Sequence, residues 1–182
     1  MARVPYVDRE QMDGEGQEIY DRIRRDRNAP QVGLQFRALL HSPKAAGYLT
    51  SMGAQLRFQS AIPENLKELA IIVIAREWNS DIEWTAHAAL AAKAGVSPAT
   101  IEAIRTNKST TGFSDQETTV VRFVHDMLRQ KRVSDEAFAA AQKLLGVRGV
   151  VDLTLTCGYY TAINMAQLAL KPEMEAGRVS TL

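Results

Sequence analysis

Two side chains that can exchange protons stand four residues apart in "SDIEWTAHAAL", residues 80–90. Glu83 and His87 would share one face of a helix, because residues four apart are neighbours on a helical surface. A carboxylate in that position orients the imidazole and raises its basicity, and histidine moves protons near neutral pH. The spacing therefore suggests an acid/base couple, with Trp84 and several alanines around it as a partly apolar setting.

A second carboxylate, Glu68, lies at the start of the preceding apolar segment and can reach the same place across a short connection. Two other interpretations stay open. Ser80 and Glu83 have the spacing of a capping box, which would leave His87 as a buried histidine satisfied by a neighbour, and spacing alone favours this interpretation. Glu68, Glu83 and His87 are also chemically suitable metal ligands, but this set lacks a second histidine or a paired Glu-x-x-His segment.

Signals for helix starts and stops recur along the whole chain. Segments rich in β-branched residues, "AIIVIA" and "VVDLTLT", resemble strands in composition, but the uninterrupted length around each favours buried helices. We therefore predict a single all-α domain. The predicted starts are Asp8 or Asp13, Ser42 with Pro43, Pro63, Ser80, Ser97 with Pro98, the capping box at Ser114, and Ser134, and the predicted stops are Gly95 and Gly146.

Two of the predicted helices, residues 63–78 and 147–170, are apolar nearly all round. Such a helix must be covered on several sides, either by its own domain or by a partner subunit. This pattern favours an oligomer.

The bulk composition excludes several classes of function. The chain has 182 residues, 46% of them hydrophobic and 24% charged, and a formal net charge of +1. That charge gives no basis for binding nucleic acid or an anionic membrane, and we interpret "RIRRDR", residues 22–27, as a solvated helix end. The single cysteine, Cys157, allows neither an intrachain disulfide nor a cysteine zinc cluster. "LAIIVIA", residues 69–75, is too short to span a bilayer, so we expect a soluble, cytoplasmic protein.

A family resemblance becomes visible over residues 67–104, "KELAIIVIAREWNSDIEWTAHAALAAKAGVSPATIEAI". This stretch resembles the carboxymuconolactone decarboxylase and alkylhydroperoxidase D-like superfamily, and the resemblance extends over roughly residues 35–170. It implies an all-helical bundle that forms homotrimers or hexamers, with a pocket near the subunit interface. It also divides the chain into an N-terminal helical extension, residues 1–34, and the family domain, residues 35–175.

The peroxidase branch of that family carries a Cys-x-x-Cys pair, a histidine four residues later and an upstream glutamate that relays protons. Glu68 matches the relay glutamate and His87 matches the histidine, whereas Ser80 and Glu83 occupy the two cysteine positions. Peroxide reduction of this type needs a thiolate and a resolving thiol, and Cys157 is remote in sequence and alone. The resemblance therefore predicts a member of the family branch that lacks the Cys-x-x-Cys pair, without thiol peroxidase activity.

The decarboxylase branch carries Glu-Leu-x-x-His, which the segment from Glu83 to His87 resembles with tryptophan in place of leucine. "AIN", residues 162–164, resembles the final helix of that branch. The family reaction loses CO₂ from 4-carboxymuconolactone and moves the ring double bond without a cofactor. By this resemblance His87 protonates the developing dienolate, Glu83 positions it and Glu68 completes the relay. Arg76 is the nearest candidate to meet a substrate carboxylate.

The expected site thus has catalytic residues Glu68, Glu83 and His87, with no metal and no cofactor. Trp84 is a candidate pocket wall, although an aromatic residue at this spacing is more often core. Tyr160 and Asn164, four apart on the last helix, are candidates to donate hydrogen bonds to a small-molecule substrate, or they pack as a buried pair. The alternative function is a non-catalytic small-molecule-binding or oligomeric scaffold protein with the same fold.

Overall fold

The computed structural model describes residues 1–182 and contains eight α-helices and no strand. The all-α prediction is confirmed. The helices are α1 Gly14–Asp26, α2 Leu34–Leu39, α3 Pro43–Phe58, α4 Glu64–Glu77, α5 Asp81–Lys93, α6 Pro98–Arg105, α7 Asp115–Arg129 and α8 Asp135–Leu170, and a short 3₁₀ helix, Arg9–Gln11, precedes α1.

The chain forms two compact units. The first contains residues 1–59 and 165–178, and in it α1 packs against α3 and the 3₁₀ helix, while α2 packs against α3. The second contains residues 60–164 and 179–182, and in it α4 packs against α5, α6 and α7. Helix α8 contributes its residues up to Asn164 to the second unit and the remainder to the first.

Helix α4 is the centre of the second unit. Every residue from Leu66 to Ala75 is buried, including the β-branched run from Ile71 to Ile74. These residues form a helix rather than a strand because the helix satisfies its own backbone hydrogen bonds and can be enclosed on all sides. The prediction of a buried helix for this segment is confirmed.

The helix ends follow the capping residues closely. The side chains of Asp13, Ser80, Ser97 and Ser114 each accept a hydrogen bond from a backbone N–H in the first turn of their helices. Pro63, predicted at the first helical position, instead precedes the helix and has an extended backbone (ψ 139°). The proline ring fixes φ without fixing ψ, so both positions are open to it.

The helical backbone of the first part of α8 stops at Gly146, as predicted, but the chain resumes a helix directly after it. The φ of 72° and ψ of 176° at Gly146 lie outside the helical region and produce a kink. Only glycine adopts this backbone conformation readily, because it lacks a Cβ. The segment 147–170 that follows is helical, which confirms the prediction of a helix rather than a strand around "VVDLTLT". No helix of the molecule combines the length and apolarity that crossing a bilayer requires.

Candidate functional site: a buried histidine between two carboxylates

The tight connection between α4 and α5 sets the position of the candidate site. Asn79 adopts a left-handed backbone conformation (φ 49°), and the N–H of Ser80 donates to the carbonyl of Ala75 at 2.9 Å. The hydroxyl of Ser80 then accepts from the N–H of Glu83 at 3.4 Å. This turn reverses the chain within a few residues and lays the first turns of α5 against α4.

His87 lies between two carboxylates, one from each of these helices. Its Nδ1 is 2.7 Å from Oε2 of Glu68 on α4, and its Nε2 is 3.4 Å from Oε2 of Glu83 on α5. The three side chains are almost completely enclosed, with His87 only 3% exposed. The structure therefore brings together the three residues that the sequence marked as catalytic candidates.

The two contacts differ in strength. A separation of 2.7 Å is typical of a charge-assisted hydrogen bond, whereas 3.4 Å is long for a nitrogen–oxygen hydrogen bond. Glu68 thus fixes the ring through Nδ1, and the Nε2 side is less tightly held. Spacing along the sequence points to Glu83 as the orienting residue, because residues four apart are neighbours on one helix. The contact with Glu68 depends on how α4 and α5 cross, which spacing does not show.

Only one of the two hydrogen bonds of a capping box forms at the start of α5. Ser80 caps α5 with its hydroxyl, but its backbone N–H is bonded to Ala75, while the Glu83 carboxylate lies against the imidazole. His87 is nevertheless a buried and satisfied histidine, as the capping interpretation also expected.

Tyr160 approaches the less tightly held side of the imidazole. Its hydroxyl oxygen lies 3.4 Å from Nε2 of His87, and the two rings meet edge to face with centroids 5.2 Å apart. Tyr160 is on α8, 73 residues from His87 in sequence. Nε2 thus faces both a carboxylate and a phenol, the two groups with which it can exchange a proton.

Burial and charge act on His87 in opposite directions. Burial disfavours the imidazolium and lowers its pKa, but the hydrogen bonds to Glu68 and Glu83 and the charges of both carboxylates outweigh burial. The net result is a pKa of His87 raised above its usual value. A raised pKa favours the imidazolium, the form of the ring that can donate a proton to a carbanion-like species.

Asn164 lies one turn beyond Tyr160 and is fully buried. Its amide nitrogen donates one of its two N–H groups to the Tyr160 carbonyl at 2.7 Å, within its own helix. Its carbonyl oxygen is buried without a hydrogen-bond partner. Asn164 therefore contacts Tyr160 within the buried part of α8, as the alternative of a buried pair expected, and it also presents an unpaired acceptor.

Three other residues discussed in the sequence take simple structural positions. Trp84 is buried in the core. Arg76 donates to the carbonyl of Arg105 at 2.8 Å and to the side chain of Asn79, so its guanidinium is engaged at the far end of α4 from Glu68. Burial raises the pKa of the Cys157 thiol to about 12, which keeps it protonated and unreactive.

The geometry does not form a metal centre. No group of three or more His, Cys, Asp or Glu side chains has an arrangement that would hold a metal ion. Nδ1 of His87, which would have to coordinate a metal on its Glu68 side, is instead hydrogen-bonded to Glu68 itself. The arrangement is that of hydrogen-bonded proton carriers.

Comparison with known families agrees with the resemblance seen in the sequence. Residues 43–126 match the carboxymuconolactone decarboxylase family. The family resemblance is thereby confirmed over this segment. The matched segment begins at the start of α3, ends within α7 and includes Glu68, Glu83 and His87, whereas Tyr160 and Asn164 lie outside it. No curated protein is significantly similar to the chain.

Proposed function

We propose that this carboxymuconolactone decarboxylase family protein is a cofactor-independent lyase or isomerase for a small carboxylated or lactone-like substrate. The observation that carries the proposal is the buried imidazole of His87, held between Glu68 and Glu83 with Tyr160 at Nε2. Burial of three ionisable groups is unfavourable unless they are paired, and here they are paired with one another.

The proposed roles follow from the two sides of the imidazole. Glu68 accepts the Nδ1–H hydrogen bond and fixes the ring, while the Nε2 proton is the one transferred. In the decarboxylation, the bond between the ring carbon and the carboxylate breaks, CO₂ leaves, and the electron pair forms a dienolate. His87 then protonates a carbon of the dienolate, the hydroxyl of Tyr160 donates to its oxygen, and Glu83 stabilises the imidazolium before the transfer.

The same proposal assigns no thiol peroxidase activity to the chain. The positions that correspond to the two reactive cysteines hold Ser80 and Glu83, and the one thiol present is buried with a raised pKa. A thiolate nucleophile is therefore lacking at the site.

Turnover of 4-carboxymuconolactone and related lactones, followed by absorbance and NMR, tests the proposal. We expect turnover by the wild type without added cofactor, and a decrease of about 10²- to 10⁴-fold in His87→Gln, the usual contribution of a general acid. His125→Gln is the matched control, because His125 is on α7 beside Glu77 and should not affect turnover. A panel without any turnover, but with measurable ligand binding, would instead favour the scaffold alternative.

We also propose that the chain forms a homo-oligomer through α8. Val147, Val151 and Leu155 follow one another at intervals of four residues and are exposed, Val147 by 67% and Val151 by 51%. Gly158 and Ala162 continue the same exposed face, and a Cβ on Gly158 would meet nothing within 4 Å. An apolar stripe of this length on a helix is typical of an association surface, and a second copy of the chain is the proposed occupant.

A further inference from the structure

A second candidate binding site lies in the first unit, between α1 and α3. A cavity of about 470 Å³ opens there, with the side chains of Ile19, Arg22 and Tyr48 among its walls. Tyr48 is 78% exposed, and Ile19 is buried beside it. The cavity thus combines apolar surface with a guanidinium group.

The guanidinium of Arg22 has no partner in the protein. Its Nε is enclosed by neighbouring atoms and forms no hydrogen bond, and Arg22 takes part in no ion pair. An enclosed charged donor without an acceptor is unfavourable, and arginine cannot avoid the penalty by losing its proton. Nε itself is closed to solvent, but Arg22 lines the cavity, so an anion there would meet the terminal nitrogens of the same guanidinium and offset its charge.

Two of the three carboxylates that line the same cavity are paired with basic side chains other than Arg22. Asp21 accepts two hydrogen bonds of 2.9 Å from Arg9, and Glu15 pairs with Lys44 at 3.2 Å. Arg25 also interacts electrostatically with Asp21, so Arg22 is the basic side chain on the cavity wall without an acidic partner. A single monoanion would balance its charge.

The absence of a side chain at Gly47 on α3 leaves room for the guanidinium of Arg22. A Cβ at this position would lie 2.7 Å from Nη2 of Arg22 and 3.2 Å from Cγ2 of Ile19. Any side chain at residue 47 would therefore displace the Arg22 head group. The guanidinium is held against the backbone of α3 by the shape of the surface and not by a carboxylate.

We propose that Arg22 binds the carboxylate of a small organic monoanion in the cavity between α1 and α3. The planar guanidinium presents parallel N–H donors that match a carboxylate. Ile19 and the ring of Tyr48 supply apolar surface for the body of the ligand. Glu15 and Glu18 on the same wall disfavour dianions such as phosphate.

NMR of the arginine Nε–H groups tests this proposal directly. Benzoate is titrated into the ¹⁵N-labelled full-length protein at constant ionic strength, with benzamide as the uncharged counterpart and inorganic phosphate as the dianion. We expect a saturable shift of the Arg22 signal with benzoate, none with benzamide, and at least several-fold weaker binding of phosphate. The absence of any Arg22 shift at tens of millimolar benzoate would overturn the proposal.

Four variants separate the site from general charge effects. Arg22→Gln should weaken benzoate binding about tenfold or more, and Arg22→Lys, which keeps the charge without the fork, should fall between it and the wild type. Gly47→Ala should weaken binding by displacing the guanidinium. Arg24→Gln is the matched control, because Arg24 is on α1 but not on the cavity wall, and it should bind nearly as well as the wild type. Equal binding by Arg22→Gln and the wild type, with both folded, would refute the assignment.

Discussion

At the scale of single residues, the position of the Glu68 carboxylate decides the chemistry of His87. The 2.7 Å contact to Nδ1 both orients the ring and favours its protonated form. Glu83 contributes the same kind of support through the longer contact to Nε2. Burial lowers the pKa of this imidazole, and the two carboxylates together raise it above its usual value.

We expect Glu68→Gln to lower the pKa of His87, because it removes the shorter hydrogen bond and a negative charge while burial persists. Titration of the imidazole C–H signals by NMR measures this, since the chain has only three histidines. Glu64→Gln is the matched control on the same helix, where the carboxylate pairs with Lys67. A His87 pKa that is unchanged in Glu68→Gln would show that Glu68 does not support the imidazolium.

The raised pKa of His87 also predicts how stability depends on pH. In the unfolded chain His87 titrates near its ordinary value, about 6.5, so the folded state binds the proton more tightly. This contribution to the free energy of unfolding is complete below about pH 6.5 and is lost as the pH rises through the folded-state pKa. Denaturant unfolding from pH 6 to 9 should show a loss of stability in the wild type that His87→Gln lacks. Parallel pH profiles for the two proteins would contradict the linkage.

At the scale of helices, the turn from Glu77 to Asp81 sets how α5 lies against α4 and so where Glu83 and His87 lie relative to Glu68. Ser80 caps α5, and its backbone N–H closes the end of α4 through Ala75. We expect Ser80→Ala to reduce the free energy of unfolding by about 1 kcal/mol, as is typical for loss of an N-cap. Chemical denaturation measures this change.

Ser97→Ala provides the comparison for that variant, because Ser97 caps α6 through the N–H of Thr100 at 3.0 Å, a shorter contact than the 3.4 Å of Ser80. Ser97→Ala should lose at least as much stability as Ser80→Ala. Only Ser80→Ala should also move the NMR signals of His87, since Glu83 and His87 lie on the helix that Ser80 begins. An equal effect of both variants on His87 would indicate that the cap does not position the site.

The helices were predictable from local chemistry, and the long-range contacts were not. Ser80, Ser97 and Ser114 marked helix starts because their hydroxyls satisfy first-turn N–H groups, which is a local effect. The pairing of Glu83 with His87 followed from helical spacing. The contact of Glu68 with Nδ1 depends on the crossing of α4 and α5, and that of Tyr160 with Nε2 on the course of α8. Sequence spacing contains neither quantity, so it pointed to Glu83 as the residue that positions His87, whereas the shorter contact comes from Glu68.

At the scale of the whole molecule, α8 exposes a row of apolar side chains to water in the single chain. Val147, Val151 and Leu155 form this row on one exposed face of the helix, and burying them against a second copy would remove apolar surface from water at about 25 cal/mol per Å². A charge in the middle of this face would have to be desolvated in any such assembly, which is strongly unfavourable.

We therefore expect Val151→Glu to shift the protein from an oligomer to a monomer, with no loss of helix content. Analytical ultracentrifugation and circular dichroism measure the two properties. Val179→Glu is the matched control, because Val179 is still more exposed but lies outside α8. If the wild type sediments as a monomer at micromolar concentration, or if Val151→Glu keeps its mass, the α8 surface is not the subunit contact. If only Val151→Glu dissociates, the turnover of that monomer then shows whether His87 acts within a single chain.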